Sequence, residues 1–302
     1  VSPFAIRPGE IKVFDGKDGY VSMNQIIHKI NLGHINDLHF KILELVNEFE
    51  FITSRQIYQM LERKGIEPGS QDKLNNKLEQ LVKSKILTRY YFDSKDGKGI
   101  YRVYCLEKMG KYLLDSRGIE CKWQPTDNTK PVAMIKKRLA GNQVIIAYLN
   151  KVKAYESYTP KPALKAKTLG KVFKASGGGI KLTKGEKSIQ FLFEVIRRED
   201  DWQNKLTDKI RMYKDFYENF VPGDCGYTAL PQLIIVCEDE KHIAEAFKHI
   251  VINKLEIDKI NLYFTTDLKQ NSDTLEDTLV SIKLDPDTQK YQMVTEKIKL
   301  LS

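Results

Sequence analysis

Cysteine is scarce in this chain. Cys105, Cys121, Cys225 and Cys237 are scattered through 302 residues with no CxxC pair, which excludes a zinc ribbon or a disulfide framework and fits a reducing compartment. Histidine is equally thin, and His28, His34 and His39 fall at spacings of six and five, which do not put three imidazoles on one helix face. No stretch approaches the roughly eighteen apolar residues of a membrane span, and no basic-then-apolar signal opens the chain. The expectation is a cytoplasmic protein with no membrane partner. The Gly177-Gly178-Gly179 run lacks a following Gly-Lys-Ser/Thr, so it is no phosphate loop and reads as a turn between short strands.

What is present is ordinary globular composition, 41% apolar and 29% charged, at a length that predicts two domains, each with its own core. A net charge of +9 favours a polyanionic partner. The most informative stretch is Ser70 to Tyr104. Leu74, Leu78, Leu81 and Val82 recur on one helical face and leave Gln71, Lys73, Asn75, Asn76, Lys77 and Gln80 outward. An alternating, aromatic and basic hairpin follows, turning at Asp96-Gly97, with Arg89, Lys95, Lys98 and Arg102 as its cations. A helix feeding such a ribbon predicts the recognition helix and wing of a winged helix-turn-helix, with base-reading side chains on the helix and phosphate contacts on the wing.

Upstream, Asn36 and Thr53 or Ser54 are N-cap candidates for two further amphipathic helices. Residues 1–35 are expected as an N-terminal arm, 36–120 as the winged helix-turn-helix, 121–153 as a linker and linker helix, and 154–302 as an α/β domain. The linker helix carries Lys136, Lys137 and Arg138 near its start, against the helix dipole. From 157 to 185 there are seven lysines and no acid. Lys165, Lys167, Lys171 and Lys174 in that run are candidates for a second nucleic-acid contact. Strand and helix alternate thereafter, which implies a central sheet covered by helices.

This order of parts resembles the replication-relaxation family of plasmid and mobile-element proteins, over roughly residues 36–250. The text that carries the likeness is RLAGNQVIIAYL in the linker helix and the pair FLFEVIRRED and KLTDKIRMYKDFY. The resemblance implies a fold of class α+β, multidomain: an N-terminal winged helix-turn-helix followed by an α/β restriction-endonuclease-like domain. In active endonucleases of that fold, two acids and a lysine position a metal-bound water against phosphate. Here Glu194 takes the second acid's place, but Ile196 stands where the lysine belongs, and no acid lies between Glu156 and Glu186. No catalytic residue and no cofactor are therefore expected.

The leading expectation is a sequence-preferring, double-stranded DNA-binding accessory protein of a plasmid or conjugative element, acting in replication, mobilisation or transcriptional control. Its partners would be DNA and replication or transfer proteins, and a homodimer stays open in the absence of a heptad seam. One alternative is a divergent Mg²⁺-dependent nuclease using Glu194, with Lys205 or Lys209 replacing the lysine and Glu156 supplying the first acid. The other is a protein-interaction module of a replication or transfer complex.

Overall fold

The structure is a computed structural model and describes residues 2–16, 19–94, 101–152, 155–272, 274–284 and 291–297. The chain is mixed α and β and divides into two compact units. One is Arg7–Ile135; the other joins Val1–Ile6 to Lys136–Ser302.

The Arg7–Ile135 unit begins with β1 (Ile11–Phe14) and α1 (Met23–Asn31), then α2 (Asp37–Phe49), β2 (Ile52–Thr53), α3 (Ser54–Arg63) and α4 (Gln71–Lys83). Strands β3 (Leu87–Asp93) and β4 (Val103–Leu106) and helix α5 (Lys108–Ser116) complete it. Short polar residues start the helices: Ser22 and Thr53 form capping boxes with Gln25 and Gln56, and Ser70 accepts from the Lys73 amide. The apolar stripe of α4, Leu74, Leu78, Leu81 and Val82, is buried, as are Ile42, Leu45 and Val46 of α2 and Ile57 and Leu61 of α3. The four strands form an antiparallel sheet in the order β1-β3-β4-β2. The turn-rich stretch after α5 packs inside this unit. Asn128 there receives the Trp123 indole N–H at 3.3 Å, and Lys130 pairs with Asp127 at 2.7 Å and with Glu50.

In the larger unit, α6 (Val132–Lys151) leads to β5 (Tyr155–Thr159), the hairpin β6 (Ala163–Ala166) and β7 (Lys171–Lys174), and strands β8 (Gly179–Lys184) and β9 (Lys187–Val195). After these come α7 (Trp202–Glu218), β10 (Gln232–Cys237), α8 (Glu240–Ile252), β11 (Leu262–Thr266), α9 (Asp267–Ser272), β12 (Leu279–Leu284) and β13 (Tyr291–Glu296). Seven strands make one sheet, β13-β12-β11-β10-β9-β8-β5, in which β9, β10 and β11 are parallel.

Alternation along β9 sorts its two faces. Phe191 and Phe193 meet Tyr148 of α6, with ring centroids 5.5 and 5.2 Å away. Leu192 joins Leu206, Ile210, Tyr213 and Phe216 of α7 and Ile243, Ala246 and Ile250 of α8. Gly141 and the glycine run let α6 seat closely. A Cβ on Gly141 would lie 2.5 Å from the Gly177 Cα, and Gly178 takes φ +89° with the Ile145 Cδ1 over it. The run therefore admits a helix to the sheet as well as turning the chain into β8.

Arg197, just past β9, is fully buried. Its guanidinium donates to the carbonyls of Phe4, Ile196 and Val236 at 3.1, 2.9 and 3.2 Å and to Asp267 at 2.7 Å. The Ser2 hydroxyl also donates to Asp267.

Candidate functional site

On α4, Lys73, Asn76 and Gln80 are exposed and Gln71, Asn75 and Lys77 are half-buried. Gln71 donates to the Asn75 side chain at 3.2 Å, and the Gln80 carbonyl oxygen lies 3.1 Å from His39 Nε2. Among the described residues Lys73, Asn76 and Lys77 keep their side chains clear of hydrogen bonds and ion pairs, so they are the ones presented outward.

Arg89 leaves the candidate set. It is buried on β3, where its Nε approaches the Asp15 carboxylate at 3.0 Å and Nη1 pairs with Glu79 of α4. The charge that would attract a phosphate is thereby answered within the unit. Arg102 remains largely exposed although its Nε meets the same Asp15 at 3.1 Å. Lys95 and Lys98, with the expected Asp96-Gly97 turn, lie outside the described residues.

In the larger unit the hairpin β6–β7 turns Leu164, Ala166 and Phe173 inward, the Phe173 ring 5.1 Å from that of Tyr213. Its lysines stay out: Lys165, Lys167, Lys171 and Lys174 are all exposed. Lys167 is engaged, reaching Asp224 at 2.5 Å and the Asn219 carbonyl at 2.9 Å. That leaves Lys165, Lys171 and Lys174 as a basic surface.

Glu194 lies near the end of β9 on the α7 side and is almost wholly buried. Four donors converge on its carboxylate: the Ser176 hydroxyl at 2.7 Å, the Ser176 amide at 3.3 Å, Tyr213 at 2.9 Å and the Lys209 ammonium at 3.1 Å. Of the two lysines considered for this role, Lys209 reaches Glu194, while Lys205 turns to Glu199 at 3.1 Å. Burial, then Glu194 itself, raises the Tyr213 phenol well above its ordinary range, so Tyr213 acts as a donor and not as an anionic nucleophile. Beside Glu194 opens a cleft of about 250 Å³, lined among others by Lys137, Arg197, Glu199, Lys205, Asp208 and Lys209.

The backbone of Glu156 lies far from that of Glu194. It stands on β5 and pairs with Leu182 of β8, which pairs with Ile189 of β9. Glu194 lies five residues beyond Ile189, so at about 3.3 Å per residue the two backbones are about 17 Å apart along the strands, with β8 between them.

A divalent metal finds a poor donor set here. Magnesium needs several oxygen ligands, yet the Glu194 oxygens already accept four hydrogen bonds and Glu199 is held by Lys137 and Lys205. Among the described residues no group of three or more His, Cys, Asp or Glu side chains is placed to hold a metal ion.

The residues the sequence did not single out for this cleft are Ser176, Glu199 and Lys137. Lys137 carried a signal, since basic residues at a helix start oppose the dipole. The three cations there have separate tasks: Lys136 and Arg138 are buried and donate to the carbonyls of Ala5 and Pro160, both at 2.5 Å, while Lys137 faces the cleft.

Among the described residues no helix is long and apolar enough to cross a membrane. No family model matches the chain, and no curated protein does. A solved structure similar to it is that of restriction endonuclease FokI, at 9% identity and a TM-score of 0.26 over 77% of this chain. The chain spans only 42% of that structure's length, and a likeness this loose carries no conclusion about fold or activity.

Proposed function

We propose that the chain is a sequence-preferring, double-stranded DNA-binding accessory protein whose Arg7–Ile135 unit is a winged helix-turn-helix. The reading is supported by the succession α2, α3, α4 followed by β3 and β4, which pair antiparallel with each other and, through β4, with β2. The observation that carries it is the outward face of α4: Lys73, Asn76 and Lys77 stand clear while Leu74, Leu78 and Leu81 anchor the helix beneath them. Such a face offers an amide for bidentate contact with adenine and ammonium groups for phosphates. Arg102 would flank it, and Lys165, Lys171 and Lys174 would give the larger unit its own contact with the backbone.

Membership in the replication-relaxation family, and service to a plasmid or conjugative element alongside replication or transfer proteins, rest on the order of parts and on the stretches quoted above. Within that reading the larger unit is an endonuclease-like domain without catalysis. The weaker reading, a Glu194-centred nuclease, gains Lys209 but lacks a first acid at Glu156 and faces a cation-rich cleft.

The test is selection from a pool of short duplexes with Mg²⁺ present, followed by titrations in rising salt. Asn76→Ala should relax preference at one base pair by about 1–3 kcal/mol. Lys77→Ala should weaken every duplex and lower the salt slope by about one. Unchanged preference in Asn76→Ala would refute the α4 assignment. Shortened DNA that depends on Glu194 would promote the nuclease.

A further inference from the structure

The cleft beside Glu194 holds more positive charge than its carboxylates answer. Its wall carries Lys137 from α6, Lys205 and Lys209 from α7 and Arg197 beyond β9, facing Glu194, Glu199 and Asp208. Arg197 is taken by Asp267, and the exposed Asp208 has Arg211 at 3.8 Å. Three ammonium groups then share two carboxylates: Lys209 rests on Glu194, while Lys137 and Lys205 both rest on Glu199. Lys137 is the least exposed of the three, its side chain 22% accessible against 25% for Lys209 and 52% for Lys205. A half-buried amine that shares its counter-ion with Lys205 and has Lys209 and Arg197 nearby is the one whose protonated form is least stable. Burial brings Lys137 down from 10.5 to about 8, against the pull of Glu194 and with the help of Lys205, Lys209 and Arg197.

We propose that Lys137 is a nucleophilic amine that condenses with a phosphate-bearing aldehyde, the phosphate seated between Lys205 and Lys209. Desolvation beside other cations is a known route to a reactive lysine, and the cleft is of a size for a small ligand. The neutral Nζ adds to the carbonyl carbon, forming the C–N bond while the π pair moves to oxygen. That oxygen takes a proton from the Lys205 or Lys209 ammonium, which recovers it from the nitrogen. The C–O bond then breaks, the amine's two hydrogens leave with the oxygen as water, and an imine remains. No oxidant or reductant is needed. The same chemistry is offered by a free phosphorylated aldehyde and by the ring-opened sugar of an abasic nucleotide, and it does not rest on the α4 reading.

The experiment uses the full chain with pyridoxal 5′-phosphate at substoichiometric amount, borohydride reduction and peptide mapping. With burial bringing Lys137 to about 8, its neutral fraction at pH 7.5 exceeds that of a lysine at 10.5 by more than about tenfold. The adduct should therefore favour Lys137 over the exposed Lys165 and Lys171 by at least about tenfold, net of its lower accessibility. An even spread over surface lysines, or an unmodified Lys137, would overturn the proposal without any variant having to fold.

Lys137→Arg keeps the charge and should abolish the adduct. Lys205→Gln should cut labelling by pyridoxal phosphate several-fold but leave labelling by butanal unchanged; equal loss for both would remove the phosphate seat. A parallel arm with an abasic duplex separates the sources. Trapping at Lys137 by the duplex assigns the nucleic acid, and trapping by pyridoxal phosphate alone assigns a small ligand.

Discussion

Removing the Asp267 carboxylate should destabilise the larger unit more than any other single polar change in it. Asp267→Ala leaves the Arg197 guanidinium at 0% exposure with three carbonyl acceptors and no counter-charge. Breaking one side of a buried ion pair costs about 3–5 kcal/mol, and the surviving carbonyl bonds place this case near about 3. With a urea slope of about 2 kcal/mol per molar, the midpoint should fall by about 1.5 M. The assay is urea unfolding followed by fluorescence in a Trp123→Phe background, where Trp202 alone reports. Trp202 lies in the same unit, its ring 4.7 Å from that of His242, so the transition read is that of the unit perturbed. Replacing both partners, Arg197→Met with Asp267→Leu, should recover at least half the loss, because no charge then stays buried. A fall below about 0.5 M for Asp267→Ala, or a double variant no better than the single one, would refute the view that this pair is an electrostatic anchor of the fold.

Two further perturbations follow from buried groups. His242 is fully buried, with its Nε2 lacking a partner among the described residues, and burial, then Arg198 and Arg197, depress it to about 3 against Asp239. The unfolded chain therefore binds a proton at His242 that the folded chain refuses, so stability should decline as pH falls from about 6.5 toward about 3. His242→Asn should flatten that part of a plot of urea midpoint against pH, and an unchanged slope would sink the assignment. Gly141→Ala should cost about 1–3 kcal/mol by overpacking, since the new Cβ meets backbone at Gly177; a neutral effect in thermal unfolding would show that α6 can lift away from the sheet.

Much of the Arg7–Ile135 unit was legible because its signals are local. The stripe Leu74, Leu78, Leu81 and the cap Thr53 lie within a few residues of the helices they specify. Asn36 is likewise the N-cap of α2, its backbone N–H donating to His39 Nδ1 at 3.2 Å. Arg89 was misread because a cation in a strand looks the same whether it faces solvent or a carboxylate. Its partners are Asp15, far upstream, and Glu79 on another element. Glu156 was misplaced for a related reason, since one sequence shows no sheet order and β8 stands between its strand and β9. The pairing of Lys209 with Glu194 could be offered only beside Lys205, both lying on the same helix. The shared counter-ion of Lys137 and Lys205 was hidden altogether, because it is assembled from α6, α7 and the loop after β9.

The placement of Ser2 and Phe4 beside Arg197 and Asp267 makes the smaller unit an insertion in the chain of the larger one. The contact between Ser2 and Asp267 joins residues 265 apart, a closure whose entropy penalty grows with the logarithm of the free loop. An insert that has already folded takes most of that loop out of the count. During synthesis the smaller unit can finish while residues 2–6 still wait for strands not yet made. The chain also passes between the units twice, near residues 6 and 135, so a cut near 135 leaves residues 7–135 bonded only to the segment 1–6, which the larger unit holds through non-covalent contacts such as those of Ser2 and Phe4. Limited digestion near residue 135 should then yield a nicked species that stays together under native conditions and separates into two fragments on denaturation.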